Sequence, residues 1–210
     1  MSLWIAMMLT AVASPDEQVG SAATVKERQA LHSYGQCLVQ ERAGEARSLL
    51  AMDYRDKKYG RAMTKLVNSR VTCPGVDVPR GAYRAGGLLW AGTFADWLLR
   101  RDRALNDLAA RTAYKPELPT IEARNAGEYM AFCVVRANPA GTAAVLRTDP
   151  ASKEELQALK AIGPTLSACV PANSKSEFTR ESLRALLALG AWRLAMHNSG
   201  AAPSRQEAAR

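Results

Sequence analysis

Histidine, aromatic residues and long apolar runs are scarce in this chain of 210 residues. It contains 2 histidines, and Phe, Trp and Tyr together make up 6% of the sequence. No apolar stretch reaches the roughly 20 residues that a membrane-spanning helix needs, which argues against a transmembrane protein. Runs of Val, Ile, Thr and Tyr are also missing, whereas alanine and leucine are abundant. This composition favours helix over strand and predicts an all-α fold.

Recognisable catalytic and metal-binding motifs are missing as well. The chain has no G-x-S-x-G and no H-E-x-x-H. Metal ligands usually lie a few residues apart, and only His32 and His197 are available, so we predict no metal and no cofactor. Several acids are candidates for a catalytic carboxylate pair, but none has a recognisable spacing, and surface ion pairs are their expected role: Glu41, Glu45, Asp53, Asp96 and Glu128. We therefore assign no catalytic residue and consider an enzyme the less favoured class.

The four cysteines form two pairs with the same internal spacing. Cys37 and Cys73 are 36 positions apart, as are Cys133 and Cys169, and each member of the second pair follows its counterpart by 96 residues. Apolar positions agree at the same offset, for example Val39 with Val135, Leu50 with Leu146 and Leu66 with Ile162. Beyond the second cysteine the offset becomes 100. The pattern predicts one helical unit written twice.

The repeat selects one pairing of the four cysteines. A duplicated unit would carry its own cross-link, so we predict the disulfides Cys37–Cys73 and Cys133–Cys169. Unpaired core thiols and a metal site are the alternatives. Closing a loop of this length stabilises a fold by roughly 4 kcal/mol in the chain-entropy model. Disulfides persist outside the cytosol, so the predicted bridges also indicate an exported protein.

The first 13 residues also point to export. Met1 to Ala13 are almost wholly apolar and carry no charge, and Ala11-Val12-Ala13 has the small-x-small pattern of a signal-peptidase site. We predict a signal peptide over 1–13 and a periplasmic or secreted protein. No basic residue precedes the short apolar run, which a misplaced start codon would explain. A short buried N-terminal helix is the alternative interpretation.

Hydrophobic periodicity predicts two tandem four-helix units, each with one internal disulfide. We expect the first unit over 14–112, a linker with two prolines over 113–124, the second unit over 125–198 and a disordered tail over 199–210. In the first unit we predict helices over 25–41, 44–52 and 56–71. A fourth starts near Pro79 and either runs to Arg111 or breaks around Arg101. In the second unit we predict helices over 125–136, 139–148, 152–168 and 178–197.

Basic residues give the chain a formal net charge of +8. Lys57, Arg61 and Lys65 share one face of the third helix, and such a basic amphipathic helix can dock on anionic lipid or nucleic acid. An ordinary solvated face is the alternative. Nucleic acid is disfavoured, because the cations are scattered among acids and few aromatics could stack on bases. An anionic envelope component or another envelope protein is the expected partner, and attraction to it needs no specific motif.

One pair of arginines opens the predicted fourth helix of each unit. Arg80 and Arg84 match Arg180 and Arg184 at the offset of 100. One interpretation is an anion clamp. We favour a structural role, in which these arginines bond to carbonyls at a neighbouring helix end or to an acid, because residues shared by repeats are mostly those that the fold needs.

Residues Cys133 to Ala140 have the pattern C-V-V-R-x-x-P-A. With this string, the cysteine pairs and the predicted export, the chain resembles uncharacterised exported helical proteins of alphaproteobacteria, in which Cys…Cys…Arg units occur in tandem. The resemblance covers Val25 to Met196. The first unit departs from the pattern at Ala43, where proline is expected. The resemblance implies a tandem helical architecture and no activity.

The leading functional hypothesis is an exported, non-catalytic binding or interaction protein of the cell envelope. One alternative is a helical hydrolase acting on an envelope polymer, and another is electrostatic attachment to an anionic membrane surface. A deep cleft with two convergent carboxylates would favour the enzyme, and a smooth groove would favour the binding protein.

Overall fold

A computed structural model describes residues 25–69, 71–76, 85–170 and 178–200. Within these ranges all regular secondary structure is helical and no strand is present, which confirms the all-α prediction. The α-helices are α1 (Val25–Ala51), α2 (Lys57–Val67), α3 (Gly87–Arg101), α4 (Leu108–Thr112), α5 (Ala126–Ala137), α6 (Pro139–Arg147), α7 (Lys153–Ala161), α8 (Gly163–Cys169) and α9 (Arg180–Asn198). A 3₁₀ turn, Ala104–Asn106, separates α3 from α4. The predicted signal peptide and residues 201–210 of the predicted tail lie outside the described residues.

Each predicted unit consists of four helical segments in the same order. In the first unit, α1 bends at Arg42, whose φ of −131° and ψ of 36° are not helical, and this bend divides α1 into two predicted segments. Segments α2 and α3 follow; the predicted range 14–112 also contains the 3₁₀ turn and the short helix α4, because the fourth predicted helix breaks after Arg101. In the second, α5 ends at Asn138, which lies 96 positions after Arg42 and caps α6. The tandem pair of four-helix units is therefore confirmed.

Some helix boundaries differ from the predictions, for local reasons. The third segment of the first unit ends at Val67 instead of residue 71, and the Tyr34 hydroxyl donates a hydrogen bond to the Val67 carbonyl at 3.0 Å. The third segment of the second unit breaks at Ile162 into α7 and α8. Pro164 lacks an N–H and is tolerated only in the first turn of a helix, so a new helix starts there.

Both predicted disulfides are present. The Cα–Cα distance is 5.8 Å for Cys37–Cys73 and 5.6 Å for Cys133–Cys169. No cysteine is free, so the alternatives of unpaired thiols and a cysteine metal site are wrong. In the second unit the bridge ties the first helix to the end of the third segment, at Cys169, whereas in the first unit it ties the first helix to Cys73 in the loop after α2.

The two fourth helices, α3 and α9, lie at the centre of one hydrophobic core that both units share. They pack most extensively against each other, while α1 covers α3 and α5 covers α9. A helix that is covered on several sides must be apolar on those sides. From Trp90 to Leu99, only Trp97 is not fully buried. Any charge on these helices therefore needs a partner within the core.

The close contact between α3 and α9 depends on Gly92. A Cβ atom at this position would lie 2.3 Å from the Cβ and 2.4 Å from the Cα of Ala185. Packed carbon atoms do not approach so closely, so the missing side chain sets the distance between the helices. Gly190 of α9 meets Ala131 of α5 in the same manner, with 2.9 Å to its Cβ.

We expect Gly92→Ala to lower the free energy of unfolding by about 1–3 kcal/mol, because the added methyl group overpacks the α3–α9 contact. The matched control is Gly60→Ala on α2, where no atom lies within 4 Å of the added carbon. Alanine should there raise stability by about 0.5–1 kcal/mol through its helix propensity. Urea unfolding of both variants checks the pair, and a Gly92→Ala protein as stable as wild type would contradict this account of the interface.

Candidate functional site

Arg184 of α9 is a buried cation at the junction of four helices, and its side chain is 4% exposed. Its Nη2 and Nε donate to Oδ2 of Asp96 on α3 at 2.7 and 3.1 Å. Its Nη1 donates to Oε1 of Glu155 on α7 at 2.9 Å. Charge-assisted bonds of this kind are the stronger hydrogen bonds in proteins. One guanidinium therefore joins α3 of the first unit to α7 and α9 of the second.

The same guanidinium also covers the C-terminal end of α6. It donates to the carbonyls of Val145, Leu146 and Thr148 at 3.0, 3.2 and 3.1 Å. Carbonyls at a helix end have no partner within the helix and carry the negative end of its dipole. Arg184 thus meets helix-end carbonyls and acids together, and all of its nitrogens have protein acceptors.

The two acids around Arg184 are held by further arginines. Arg100 of α3 donates from Nε to Oδ1 of Asp96 at 3.0 Å and from Nη2 to the Thr148 carbonyl at 2.9 Å. Arg180 pairs with Glu155 and with the Ser152 carbonyl. Burial alone would raise the pKa of Asp96, but the charges of Arg184, His32 and Arg100 and the Arg184 hydrogen bonds lower it overall. Asp96 is therefore ionised, and both of its carboxylate oxygens accept hydrogen bonds from arginines.

His32 of α1 lies beside the same carboxylate, with 3.7 Å between its Nε2 and Oδ2 of Asp96. Burial lowers the pKa of His32 to about 4; Asp96 opposes this shift, while Arg184 and Arg100 add to it. The imidazole is consequently neutral at neutral pH. Its Nδ1 is buried and has no hydrogen-bond partner in the described part of the chain.

Glu128 of α5 forms a second buried cluster. Its Oε1 lies 2.5 Å from Nη1 of Arg193 on α9, and its Oε2 accepts from the backbone N–H of Arg124 at 2.7 Å. The backbone N–H of Glu128 in turn donates to Oδ1 of Asn125, the N-cap of α5. Glu155 repeats this arrangement: its N–H donates to the Ser152 cap and its carboxylate accepts from the residue before that cap. Each acid therefore closes a helix start as well as an ion pair.

The expectation that Asp96 and Glu128 belong to surface ion pairs is wrong. They are 1% and 3% exposed, whereas Glu45 and Asp53 do form exposed pairs, with Arg42 and Arg55. The sequence does contain a signal that Asp96 is buried, because it is the single charged residue in the apolar run 88–99. A single acid in such a run requires a buried partner, but the run does not reveal which one.

The predicted arginine pairs are described only in part. Arg180 and Arg184 have the contacts given above, and Arg80 and Arg84 lie outside the described residues.

An open groove of about 450 Å³ lies between α1 and α3. Its lining residues are Gln36, Val39, Gln40, Trp97, Arg100 and Arg101. The Arg100 guanidinium covers the Trp97 ring at 5.0 Å, and Arg101 donates to the Val39 carbonyl at 3.1 Å.

Gln36 and Gln40 of this groove lie one turn apart on α1 and have no side-chain hydrogen bond within the described ranges. Arg101 has further N–H groups besides the one bound to Val39. The described lining of the groove thus has free hydrogen-bond donors and contains no carboxylate.

The basic face predicted on α2 is exposed in the structure. Lys57, Arg61 and Lys65 are all accessible to solvent, and none lies within 4 Å of an acid among the described residues. The opposite face, with Met63 and Leu66, is buried against the core.

Among the described residues, no group of three or more His, Cys, Asp or Glu side chains is placed to hold a metal ion. In the same ranges, every helix is too short or too polar to cross a bilayer. No protein-family model, no curated protein and no solved structure matches the chain.

We expect Arg184→Met to destabilise the fold by about 3–5 kcal/mol, because Asp96 and Glu155 would lose a buried partner. Arg61→Met, at an exposed and unpaired position, should change stability by less than about 0.5 kcal/mol. Adding Asp96→Asn and Glu155→Gln to Arg184→Met should recover part of the loss, since the stranded charges are then removed. Chemical unfolding measures all three, and equal stability of the two single variants would refute the assigned role of Arg184.

We expect stability to fall as the pH drops from about 6.5 to 4, partly because of His32. Its pKa is lowered in the folded state, so the unfolded chain binds the proton first, and the stabilisation is present above pH 6.5 and lost toward the folded pKa of about 4. The whole loss amounts to about 3 kcal/mol for this group. His32→Gln should flatten the curve of unfolding free energy against pH in this window. An unchanged slope in the variant would show that other groups cause it.

Proposed function

We propose that this chain is an exported, non-catalytic binding protein of the cell envelope. The observation that carries the proposal is a separation of charges. The buried carboxylates are neutralised by arginines inside the core, whereas free hydrogen-bond donors and unpaired cations face the solvent.

Two features support export. Both disulfides close loops within helical units, and such bonds persist in oxidising compartments. The apolar segment 1–13 has the pattern of a signal peptide. The resemblance to exported helical proteins of alphaproteobacteria agrees with both and implies no activity.

The arrangement of the acids favours binding over catalysis. A general acid or base must exchange a proton with a substrate within hydrogen-bond reach. Asp96, Glu128 and Glu155 are instead buried and held by arginines and backbone N–H groups. The charged groups in the described lining of the α1–α3 groove are arginines, which donate hydrogen bonds and accept none. Such groups recognise an anion or a carbonyl-rich ligand.

Titration of the protein with soluble fragments of anionic envelope polymers tests this function. We expect binding in the α1–α3 groove that weakens at least about tenfold in the Gln40→Ala, Arg101→Ala double variant, because hydrogen bonds to a charged ligand are removed. Gln157→Ala, Arg103→Ala is the matched control, since both residues are exposed and lie outside the groove. Calorimetry gives the affinities. Release of hydrolysis products from the fragments would establish the enzyme alternative, and equal loss in both double variants would remove the groove from consideration.

A further inference from the structure

We infer that the protein also attaches to the anionic surface of a phospholipid bilayer through the exposed face of α2, formed by Lys57, Lys58, Arg61 and Lys65. The inference rests on the proposed location in the cell envelope and adds the membrane as a second partner. It concerns a different surface from the α1–α3 groove.

The cations of α2 are exposed, lie on one short helix and have no counterion among the described residues. Between Lys57 and Val67 the helix contains four basic residues and no acid. Several other surface arginines are paired within the chain: Arg42 with Glu45, Arg47 with Asp102, Arg55 with Asp53 and Arg111 with Asp107. Exposed cations elsewhere that lack an ion pair in the described ranges, such as Lys26, Arg103 and Lys160, lie on separate segments of the chain. The α2 cations have no such ion pair among the described residues. Their charge is available to an external anion.

The corresponding helix of the second unit shows that the fold does not need these charges. At the offset of 96, α7 places Glu154, Gln157 and Ala161 where α2 has Lys58, Arg61 and Lys65. Only Lys153 matches in charge, as the counterpart of Lys57. Both helices nevertheless bury their apolar positions at the same register, with Met63 matching Leu159 and Leu66 matching Ile162.

The shape of the α2 face favours a flat partner. Its apolar side is packed against the core, with Met63 and Leu66 buried and Val67 bound by Tyr34. The helix therefore cannot turn an apolar face into a membrane, as an inserted amphipathic helix does. What remains is a convex row of cations that extends about 12 Å from Lys57 to Lys65. A lipid headgroup layer can contact all of these charges together, whereas a small anion would meet one or two.

Vesicle co-sedimentation of the full chain tests the attachment. Vesicles of phosphatidylcholine with about one-third phosphatidylglycerol should bind the protein at low salt, and vesicles of phosphatidylcholine alone should bind it much more weakly. Raising the salt from about 0.05 M to about 0.5 M should release it, because the Debye length then falls well below 10 Å. The variant Lys57→Gln, Arg61→Gln, Lys65→Gln should bind on the order of 100-fold more weakly.

The control variant carries Lys26→Gln, Lys153→Gln and Lys160→Gln, which removes the same charge from exposed positions on other helices. We expect it to lose only a few-fold in affinity. Both triple variants should keep the wild-type melting temperature, since glutamine is a good helix former and the sites are exposed.

Several results would overturn the inference. They are equal binding to neutral vesicles, binding that persists at high salt, an equal loss in the two triple variants, and binding to a soluble acidic polysaccharide without binding to vesicles. None of these results affects the groove, whose titration is carried out without lipid. If the groove titration fails but vesicle binding is intact, the proposed function of the groove is refuted and the attachment through α2 is still supported.

Discussion

The buried guanidinium of Arg184 is the interaction on which the arrangement of the two units depends. Hydrophobic packing between α3 and α9 favours contact but is not directional. The bonds from Arg184 to Asp96 on one unit and to Glu155 and the end of α6 on the other are directional. A buried charge is tolerated only when it is paired and hydrogen-bonded, so the units must meet in a position that satisfies it. The contact at Gly92 then brings the helices close enough for these bonds to form.

The sequence predicts well those features that local pattern or repetition encodes. Periodicity gives the helical segments, and the equal cysteine spacings give both disulfides, because a covalent cross-link within a unit follows from the repeat itself. The bend at Arg42 appears as the gap between two predicted helices. The break at Ile162 was not predicted, although Pro164 marks it, because the apolar periodicity continues across it.

The ion clusters are harder to predict, because their members come from distant segments. Arg184 and Asp96 are 88 positions apart, and nothing in the spacing relates them. The repeat does identify Arg184 as a candidate through its counterpart Arg84. It cannot identify Asp96, whose counterpart at the offset of 100 is Met196. A partner that only one unit contains leaves no trace in a comparison of the units.

The two units share a backbone plan and differ in where they place charge. Glu155, buried in α7, corresponds to Tyr59 in α2, while the exposed Arg61 corresponds to Gln157. At these positions α7 of the second unit buries a carboxylate in the Arg184 cluster, whereas α2 of the first unit exposes a cation. The anion that Arg180 and Arg184 hold is Glu155 of the chain itself, and Arg184 also holds Asp96. Guanidiniums with protein acceptors already in place are poorly suited to an external ligand. The proposed recognition therefore relies on donors that are left unpaired among the described residues, such as the amides of the α1–α3 groove and the cations of α2.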